Sequence, residues 1–333
     1  MLLLPAKVTL ILAYHIFLND GYLILLVVYF FMNILILGNA EDAHAAHIHA
    51  ALLIKGVDVE YLDTQLFPSK IKLSWQPHDA DGCIQLASGK EIKLQNIHSV
   101  YWRSFNGVGV PSIDDSSRQD IAYRDSMATV RSIFQACSAH WVNSWQAYQF
   151  HQKKPLQLNL AKQLGVTIPA TLVSNDARQI TQFAKAYNKV IFKPVYGGSH
   201  ARFVTKKHLE PERLNLALKF SPVTLQEYIP GTNIRSYVVG DSVYSAEIRT
   251  DAVDLRDDYS AKIVPVNLSA EIEQQCKKIA SAFSLEWTAI DWRRNSSGEY
   301  VFLEANPSPM FIYFEEQTGF SITQKLVQLL EDV

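Results

Sequence analysis

The sequence predicts an α/β domain followed by a second domain rich in strands, and three patterns support this fold class. A strand, a turn, a helix and a second strand follow one another from Met32, which is the βαβ order of an α/β domain. A new helix and strand begin after a boundary near Trp141–Trp145. Strands and turns then dominate, and two apolar runs around "NSSG" are typical of a hairpin. A chain of 333 residues is long enough for both domains.

Composition excludes several classes of protein. Lys and Arg total 31 against 33 Asp and Glu, so no overall basic field draws the chain to nucleic acid. The three cysteines are scattered and odd in number, without metal-ligand or redox spacing. We therefore expect a folded protein without a nucleic-acid partner, in a reducing cytoplasm, whose anion binding depends on local sites. The oligomeric state stays open, a homodimer included.

Residues 1–31 form an apolar leader that admits two interpretations. The segment Val8–Phe31 reaches the ~20 residues of a membrane-spanning helix, although Asn19 and Asp20 lie near its middle. In the other interpretation, which we favour, Met32 is the functional start, because "MNILILGN" is typical of an opening strand that ends in a glycine turn. The leader is then not part of the mature protein, and we leave it out of the fold prediction.

The first domain, over residues 32–140, opens with "NILILG", "AEDAHAAHIHAALLIKG" and "VDVEYLD". Gly38 is the one glycine in its first turn, so the G-x-G-x-x-G fingerprint of a dinucleotide-binding dehydrogenase is absent. A strand over Ser99–Ser104 and a helix over Gln119–Ala139 follow. We expect the histidines of the first helix to form a solvated face rather than a metal site, because no carboxylate or cysteine is spaced to complete one. These histidines are His44, His47 and His49.

A lysine inside an apolar run marks a candidate anion site. Lys193 lies in "VIFKPV", and lysine is rarely buried without a negatively charged partner. Gly197 and Gly198 follow between two strand-like segments, so we expect a hairpin loop whose backbone N–H groups can close on phosphate oxygens. The G-x-x-x-x-G-K-[ST] pattern of a Walker loop is absent. A plain hairpin with a solvated lysine is the alternative.

The hairpin around "NSSG" carries a candidate metal site. If the turn is centred between Ser297 and Gly298, Asp291 falls directly opposite Glu304, and period-two alternation places Asn306 on the same face. Like charges opposite each other destabilise a sheet, so this pair requires a cation. Two carboxylates and an amide oxygen suit Mg²⁺, which keeps water and phosphate oxygens as its other ligands. The alternative is a surface hairpin with a shifted register, whose acids face water.

A strand over Leu225–Ile229 ends at a Pro-Gly turn, and its free backbone groups can bind the edge of an adenine base. Two arginines follow, Arg235 and Arg249, and their forked donors suit phosphate charge. We expect both to be catalytic residues that act on a transferred phosphate. Simple pairing across the Gly240–Asp241 turn places them on opposite faces, so both act at one site only if a bulge intervenes. Arg235 is the stronger candidate.

The chain resembles ATP-grasp enzymes, and RimK-type ligases in particular. The resemblance rests on four elements in this order: the lysine strand, the glycine hairpin, the "QEYI" strand and the "LEANPSP" strand. The resemblance covers roughly Trp141–Val333. It implies an ATP-grasp domain over residues 141–333, with two α+β lobes of about 141–224 and 225–333 that clamp ATP, preceded by an α/β pre-ATP-grasp domain. Members of this family use ATP and Mg²⁺ to activate a carboxylate as an acyl phosphate, which an amine then attacks.

The resemblance also implies roles for single residues. Lys153 matches the first ATP lysine of the family, although the neighbouring Lys154 can take its place. Asn233 replaces the family's acid in "NIRSYVV", and the magnesium segment E-x-N-x-x-P keeps its spacing through Pro309. The implied ATP-binding residues are Lys153, Lys193, Gly197, Gly198, Ser199, Gln226, Glu227, Tyr228 and Ile229. The implied magnesium ligands are Asp291, Glu304 and Asn306.

A weaker likeness to the ligases of microviridin-type peptides, the graspetide ligases, comes from "NPSPMFIYFEEQTGFSITQKLVQLL" and "VYWRS". It implies a peptide, protein or amino-acid substrate. The expected function is therefore ATP- and Mg-dependent ligation of a carboxylate to an amine or hydroxyl, with release of ADP. Two alternatives stay open. One is a kinase of the same fold that phosphorylates a hydroxyl. The other is a non-catalytic ATP-binding regulatory module, because His200 and Arg202 stand where many relatives carry glycine.

Overall fold

The computed structural model describes residues 10–17, 23–30, 33–79, 81–197, 200–249 and 261–332. The predicted phosphate-loop residues Gly198 and Ser199 therefore lie outside the described residues. The chain divides into two compact units, one of residues 1–145 with 323–333 and one of residues 146–322.

The apolar leader forms two strands rather than one helix. β1 (Leu10–Phe17) and β2 (Leu23–Phe30) pair antiparallel, from Leu10 opposite Phe30 to Phe17 opposite Leu23. A single helix over Val8–Phe31, which one interpretation of the sequence required, is therefore wrong for the described part of this segment. None of the helices in the described residues is long and apolar enough to cross a bilayer.

The first unit contains the predicted βαβ motif within a parallel sheet. The elements that follow the leader are β3 (Asn33–Leu37), α1 (Ala43–Ile54), β4 (Asp58–Leu62), β5 (Lys72–Gln76), β6 (Asp81–Gln85), β7 (Glu91–Lys93), β8 (Ile97–Trp102), α2 (Ser116–Ala136) and β9 (His140–Val142). The parallel sheet has the order β4-β3-β8-β9, and β5-β6-β7 form a separate antiparallel sheet. The predicted strand before the boundary is β8, and the predicted long helix is α2.

The three histidines of α1 are half-buried, so the expected solvated face is wrong. His47 Nε2 lies 2.8 Å from Thr323 Oγ1, and the His49 ring stacks on Tyr61 with centroids 4.5 Å apart. Burial and the charge of Arg103 lower the pKa of His44 to about 4. These side chains have separate packing roles, and no metal cluster forms from them or from other His, Cys, Asp and Glu of the described ranges.

The second unit begins with two helices and a four-stranded sheet, which we call the small sheet. Its elements are α3 (Trp145–His151), α4 (Lys154–Gln163), β10 (Thr171–Ser174), α5 (Ala177–Ala186), β11 (Val190–Lys193), β12 (Arg202–Phe203), α6 (Pro211–Leu218) and β13 (Val223–Glu227). The strand order is β10-β13-β11-β12, antiparallel throughout. β11 and β12 pair on either side of Gly197, which confirms the predicted glycine hairpin. The core between this sheet and its helices contains buried Ile180 of α5, Leu214 of α6 and Leu225 of β13.

The rest of the second unit is built on a five-stranded antiparallel sheet, the large sheet. Its elements are β14 (Thr232–Val239), β15 (Ser242–Arg249), β16 (Lys262–Pro265), α7 (Ala270–Ala282), β17 (Trp287–Arg294), β18 (Tyr300–Asn306) and α8 (Ile312–Thr318). The strand order is β16-β15-β14-β17-β18. One face packs against α4 and α7 through Leu158, Phe283, Trp292 and Phe302. The opposite face carries Asp291, so the core on one face supports the candidate site on the other.

The last helix, α9 (Ile322–Glu331), belongs almost entirely to the first unit. Ser99 Oγ in β8 donates to the backbone carbonyl of Leu330 at 2.8 Å, and Ser99 is completely buried. The end of the chain is therefore part of the first unit's core rather than a simple extension of the second unit.

We expect Phe302→Ala to destabilise the second unit by about 3–5 kcal/mol, because Phe302 is completely buried and its truncation leaves a cavity. Urea unfolding measures this loss. Phe220→Ala is the matched control: Phe220 is 83% exposed, so its loss should change the free energy of unfolding by less than about 0.5 kcal/mol. Equal effects of the two substitutions would contradict the assigned core.

Candidate functional site

The candidate site is built on the hairpin of β17 and β18. Asp291 lies directly opposite Glu304, which confirms the predicted pair. The register shifts by one residue between Asp291 and Trp292, so that Trp292 lies opposite Phe302. Leu303 is therefore an extra residue in β18, and such a bulge bends the strand and increases its twist. The sequence predicts the acidic pair, but it does not reveal the bulge.

Asn306 completes a three-residue cluster with the two acids. Its Nδ2 donates to Asp291 Oδ2 at 3.4 Å and to Glu304 Oε1 at 3.3 Å. Thr288 Oγ1 donates to the backbone carbonyl of Asn306 at 2.8 Å and thereby holds the end of β18. The period-two alternation that predicts this shared face is confirmed.

Asp291 is paired with an arginine from the neighbouring strand. Arg235 lies opposite Asp291 in the β14–β17 ladder. Its Nε donates to Oδ1 at 2.7 Å and its Nη2 donates to Oδ2 at 2.9 Å, so the contact is bidentate. Burial disfavours the charged guanidinium, but the charge of Asp291 outweighs it and raises the pKa of Arg235 above its ordinary value. One of the two acids is thus compensated within the large sheet.

Glu304 is paired with a lysine from α4. Lys154 Nζ lies 2.9 Å from Glu304 Oε2 and donates to Asn306 Oδ1 at 3.2 Å. Burial raises the pKa of Glu304, but Lys154 and Lys193 outweigh it and lower the value to about 2. Lys153 is exposed and lies just before α4. Of the two lysines that the sequence leaves open, the structure brings Lys154 and not Lys153 to the cluster.

The three predicted metal ligands offer hard oxygen donors. Within the described ranges no three His, Cys, Asp or Glu side chains form a metal cluster, so the candidate rests on two carboxylates and an amide. This set fits Mg²⁺, which prefers carboxylate oxygens and fills its remaining positions with water or phosphate. A 180° rotation of the Asn306 side-chain amide would exchange the positions of its oxygen and nitrogen. The oxygen would then face both carboxylates, where the nitrogen lies in the structure.

Lys193 is held by a buried glutamine of the small sheet. Gln226 is 2% exposed, and its Oε1 accepts from Lys193 Nζ at 3.3 Å. Gln226 Nε2 in turn donates to Thr171 Oγ1 at 3.1 Å. The resemblance implies that Gln226 belongs to the adenine-binding segment, and this stays a prediction. In the structure its side chain is buried and orients Lys193.

A pocket between the two sheets contains both lysines. It is lined by residues that include Lys154, Lys193, Gly197, Thr224 and Glu304. Gly197 has a φ of 102°, in the left-handed region that favours glycine. A Cβ at this position would lie 4.0 Å from Lys154 Cε, so the loop runs close to the lysine. The described part of the glycine loop thus closes one side of a positively charged pocket beside Glu304.

The segment that joins the two sheets is clamped by an arginine that sequence reasoning missed. Arg293 Nε donates to the backbone carbonyl of Ile229 at 3.0 Å, and its Nη2 donates to that of Gly231 at 2.6 Å. Its Nη1 donates to Asn233 Oδ1 at 2.6 Å, and its guanidinium lies 5.5 Å from the centroid of the Tyr228 ring. Its position two residues after the predicted ligand Asp291, on the same strand, is the sequence signal that could have identified it.

The predicted hinge residues Glu227 and Tyr228 continue the pairing of the small sheet. The backbone N–H of Glu227 donates to the carbonyl of Ala170 at 2.9 Å, and that of Tyr228 donates to the carbonyl of Lys189 at 3.0 Å. The Tyr228 ring meets Phe203 edge-on with centroids 5.1 Å apart. This aromatic pair lies next to the segment that Arg293 holds.

Arg249 is not brought to the carboxylate cluster. The β14–β15 ladder runs regularly, with Arg235 opposite Ala246, and without the bulge that both arginines would need. Arg249 therefore faces the other side of the sheet, where its Nε donates to Glu247 Oε1 at 2.9 Å. Glu247 also accepts from Arg294 Nη2 at 3.2 Å. The pairing argument that ranked Arg235 above Arg249 is confirmed.

His151 is a second residue that sequence reasoning missed. Its Nδ1 lies 3.1 Å from the carbonyl oxygen of Ala305 and 3.4 Å from Lys154 Nζ, and it donates to the carbonyl in the Nδ1–H tautomer. Burial and the nearby charge of Lys154 lower the pKa of His151 to about 4. A neutral imidazole therefore lies beside β18 between the two predicted ligand residues Glu304 and Asn306. No motif marks it, because its role depends on the fold.

Two family models match most of the chain. The MvdD pre-ATP grasp domain matches residues 33–149, and the RimK-like ATP-grasp domain matches residues 151–330. The chain belongs to the RimK-like ATP-grasp family. Its fold is a pre-ATP-grasp domain followed by an ATP-grasp domain, and the RimK-type resemblance is confirmed.

Two curated relatives share parts of this RimK-like chain. An uncharacterized protein of Methanocaldococcus jannaschii is 26% identical over 172 residues, which are 51% of this chain and 43% of that protein. The chain thus spans less than half the length of that relative. A probable alpha-L-glutamate ligase of Picosynechococcus is 26% identical over 215 residues, which are 61% of this chain and 71% of that protein.

Solved structures of peptide ligases share the fold along nearly their whole length. The macrocyclase MdnC of Microcystis aeruginosa, bound with precursor peptide MdnA, is 26% identical, covers 91% of this chain and 100% of its own, and has a TM-score of 0.80. The ATP-grasp ligase PsnB, with a phosphomimetic variant of a minimal precursor, Mg and ADP, is 27% identical, covers 90% and 98%, and has a TM-score of 0.77. The fold of this chain is thus that of ligases solved with precursor peptides.

We expect Lys154→Ala to weaken binding of ADP with Mg²⁺ by about 10- to 100-fold, because it removes the charged partner of Glu304 from the pocket. Isothermal titration calorimetry measures this change. Lys153→Ala removes the adjacent, exposed lysine and should leave the dissociation constant nearly unchanged. A larger loss in Lys153→Ala than in Lys154→Ala would contradict the assignment made from the structure.

The low pKa of His151 predicts an acid-dependent loss of stability. Its folded-state pKa of about 4 lies below the ordinary 6.5, so the unfolded chain binds more protons between these values. The stability contribution is complete above pH 6.5 and is lost as pH falls through 4. Urea unfolding at pH 7 and pH 5 should therefore show a smaller acid loss in His151→Gln than in the parent protein. The contribution of His44 is the same in both proteins and cancels in the comparison. Equal losses of unfolding free energy between pH 7 and pH 5 would therefore refute the prediction.

Proposed function

We propose that this chain is an ATP- and Mg-dependent ligase that joins a carboxylate to an amine or hydroxyl through an acyl phosphate and releases ADP. The observation that carries the proposal is the cluster of Asp291, Glu304 and Asn306 at the edge of a pocket with Lys154 and Lys193. A protein that only packs its core does not need two opposed carboxylates compensated by cations from different elements.

The proposed substrate class is a peptide, a protein or an amino acid. The names of the curated relatives include probable alpha-L-glutamate ligases, an alpha-aminoadipate–LysW ligase and a glutamate–LysW ligase. The solved relatives with this fold include ligases captured with precursor peptides. These findings favour a carboxylate substrate that belongs to an amino acid or to a peptide. A free peptide is the first substrate to test, because those peptide ligases match nearly the whole chain.

Asp291, Glu304 and Asn306 would hold Mg²⁺. The ion would supply charge neutralisation for the phosphates of ATP when bound. Lys154 and Lys193 face the same pocket and offset the negative charge that spreads over the transferred phosphoryl group. Arg235 fixes the orientation of Asp291 through its bidentate pair and adds a third positive charge. The contribution of these residues is therefore positioning and electrostatics.

The proposed reaction has two steps. An oxygen of the substrate carboxylate attacks the γ-phosphorus of ATP, the bond to the bridging oxygen of ADP breaks, and an acyl phosphate forms. The amine nitrogen or hydroxyl oxygen of the acceptor then attacks the acyl carbon, loses its proton, and displaces inorganic phosphate. No protein nucleophile is required, because the substrate carboxylate supplies it.

The nucleotide base is proposed to bind beside Glu227, Tyr228 and Ile229, where Arg293 orders the backbone. The glycine loop, with Gly197 and its neighbours Gly198 and Ser199, is proposed to cover the phosphates. Lys153, implied by the resemblance, and Arg249, predicted from its forked donors, stay predictions; neither contacts the cluster in the described structure.

We further propose a cytoplasmic location. The described thiols of Cys83, Cys137 and Cys276 are all free, and the last two are buried. Free, scattered thiols are typical of a reducing compartment.

Release of ADP rather than AMP tests the proposal directly. With ATP, Mg²⁺ and a pool of amino acids and peptides, we expect acceptor-dependent ADP and phosphate. Glu304→Ala should reduce the rate by about 100-fold or more, because it removes a carboxylate that would hold Mg²⁺. Glu299→Ala is the matched control, since Glu299 lies in the same hairpin and bonds Thr167 Oγ1 instead.

Other products would contradict the ligase. AMP would indicate an adenylating reaction, and a phosphorylated hydroxyl without ligation would indicate a kinase. Nucleotide binding without turnover of any acceptor would indicate a regulatory module.

A further inference from the structure

A buried glutamine of α4 closes the open edge of the strand that carries the candidate metal ligands. β18 is the last strand of the large sheet, so the backbone groups on its outer side have no neighbouring strand among the described residues. The backbone N–H of Ala305 donates to Gln157 Oε1 at 3.2 Å, and Gln157 Nε2 donates to the carbonyl of Ala305 at 3.1 Å. Gln157 is 1% exposed. Its amide thus acts as a short substitute for a neighbouring strand.

The two hydrogen bonds hold both peptide groups that flank the ligand residues. The N–H of Ala305 belongs to the peptide that joins it to Glu304, and the carbonyl belongs to the peptide that joins it to Asn306. Holding these two peptide planes restricts ψ of Glu304 and φ of Asn306, and so restricts the directions in which the two side chains leave the backbone. The bulge at Leu303 removes one regular ladder pair just before Glu304, so the inner side of β18 alone holds this segment less firmly.

We propose that Gln157 is a positioning residue that sets the affinity of the Asp291, Glu304 and Asn306 site for Mg²⁺ by holding the backbone of Ala305 on both sides. This inference rests on the magnesium site of the proposed function. The described hydrogen bonds of the Gln157 side chain go to the backbone of Ala305, so its action passes through the backbone. Partners of this kind typically change metal affinity by about 10- to 100-fold when they are removed.

The test measures how much Mg²⁺ strengthens the binding of ADP. Calorimetric titrations with ADP, in excess Mg²⁺ and in EDTA, give the enhancement as a ratio of two dissociation constants. For Gln157→Leu we expect this ratio to fall by about 10- to 100-fold, with ADP binding in EDTA changed by less than about threefold. A residue with only a packing role would lower the unfolding temperature but leave the ratio unchanged, and that result would overturn the proposal.

Gln157→Glu provides a second variant that keeps the shape. At pH 7.5 its carboxylate can accept from the Ala305 N–H but cannot donate to the Ala305 carbonyl, so the ratio should fall as in Gln157→Leu. A full ratio in Gln157→Glu would argue against the hydrogen-bond mechanism, because this variant keeps the shape of the side chain but loses the bond to the Ala305 carbonyl.

Gln163→Leu is the matched control. Gln163 lies in the same helix, is exposed, and donates to Asn159 Oδ1 at 3.1 Å, so the ratio should match that of the parent protein.

The binding assay also separates the two proposals. In one outcome, Mg²⁺ strengthens ADP binding in the parent protein, the ratio falls in Gln157→Leu, and no acceptor is ligated. The ligase proposal is then wrong, and the role of Gln157 stands. If the parent protein ligates and Gln157→Leu keeps the full ratio, the role of Gln157 falls alone. No Mg²⁺ enhancement in the parent protein would overturn both.

Discussion

The opposition of Asp291 and Glu304 across two neighbouring strands is the constraint on which the site depends. Two like charges at this spacing repel each other, and a sheet tolerates them only where cations compensate. The chain supplies these cations from three elements: Arg235 from the large sheet, Lys154 from the start of α4 and Lys193 from the small sheet. These contacts link the electrostatics of the hairpin to both sheets of the second unit, and we propose that the same two carboxylates bind Mg²⁺.

Backbone supports give this charged cluster a defined geometry. The bulge at Leu303 changes the register just before Glu304, and Gln157 and His151 then hold the backbone of Ala305 from α4 and the end of α3. On the adjacent strand, Arg293 ties the segment between the two sheets to β17. Since β17 carries both Asp291 and Arg293, one rigid strand connects the proposed phosphate end of the site to the proposed base end.

The sequence is sufficient to predict the parts of the site that depend on local pattern. Alternation and a turn-forming "NSSG" place Asp291, Glu304 and Asn306 together, although the pairs nearer the turn follow a register shifted by one residue. Lys153 and Lys154 could not be separated, because adjacent lysines have the same chemistry and only the direction of α4 decides which one reaches Glu304. Gln157 and His151 act through backbone groups far along the chain, and such contacts leave no local pattern, whereas Arg293 has a local signal in its position two residues after Asp291. The histidines of α1 were misjudged for the same reason, since their burial depends on Thr323 and on neighbouring strands.

A crystal structure of the chain with ADP and Mn²⁺, with the metal located by its anomalous scattering, tests the central claim most directly. The account predicts a metal peak within ligand distance of carboxylate oxygens of both Asp291 and Glu304, and ADP phosphates in contact with Lys154 and Lys193. ADP bound with its metal away from this pair, or with phosphates held by Lys153 instead of Lys154, would contradict it.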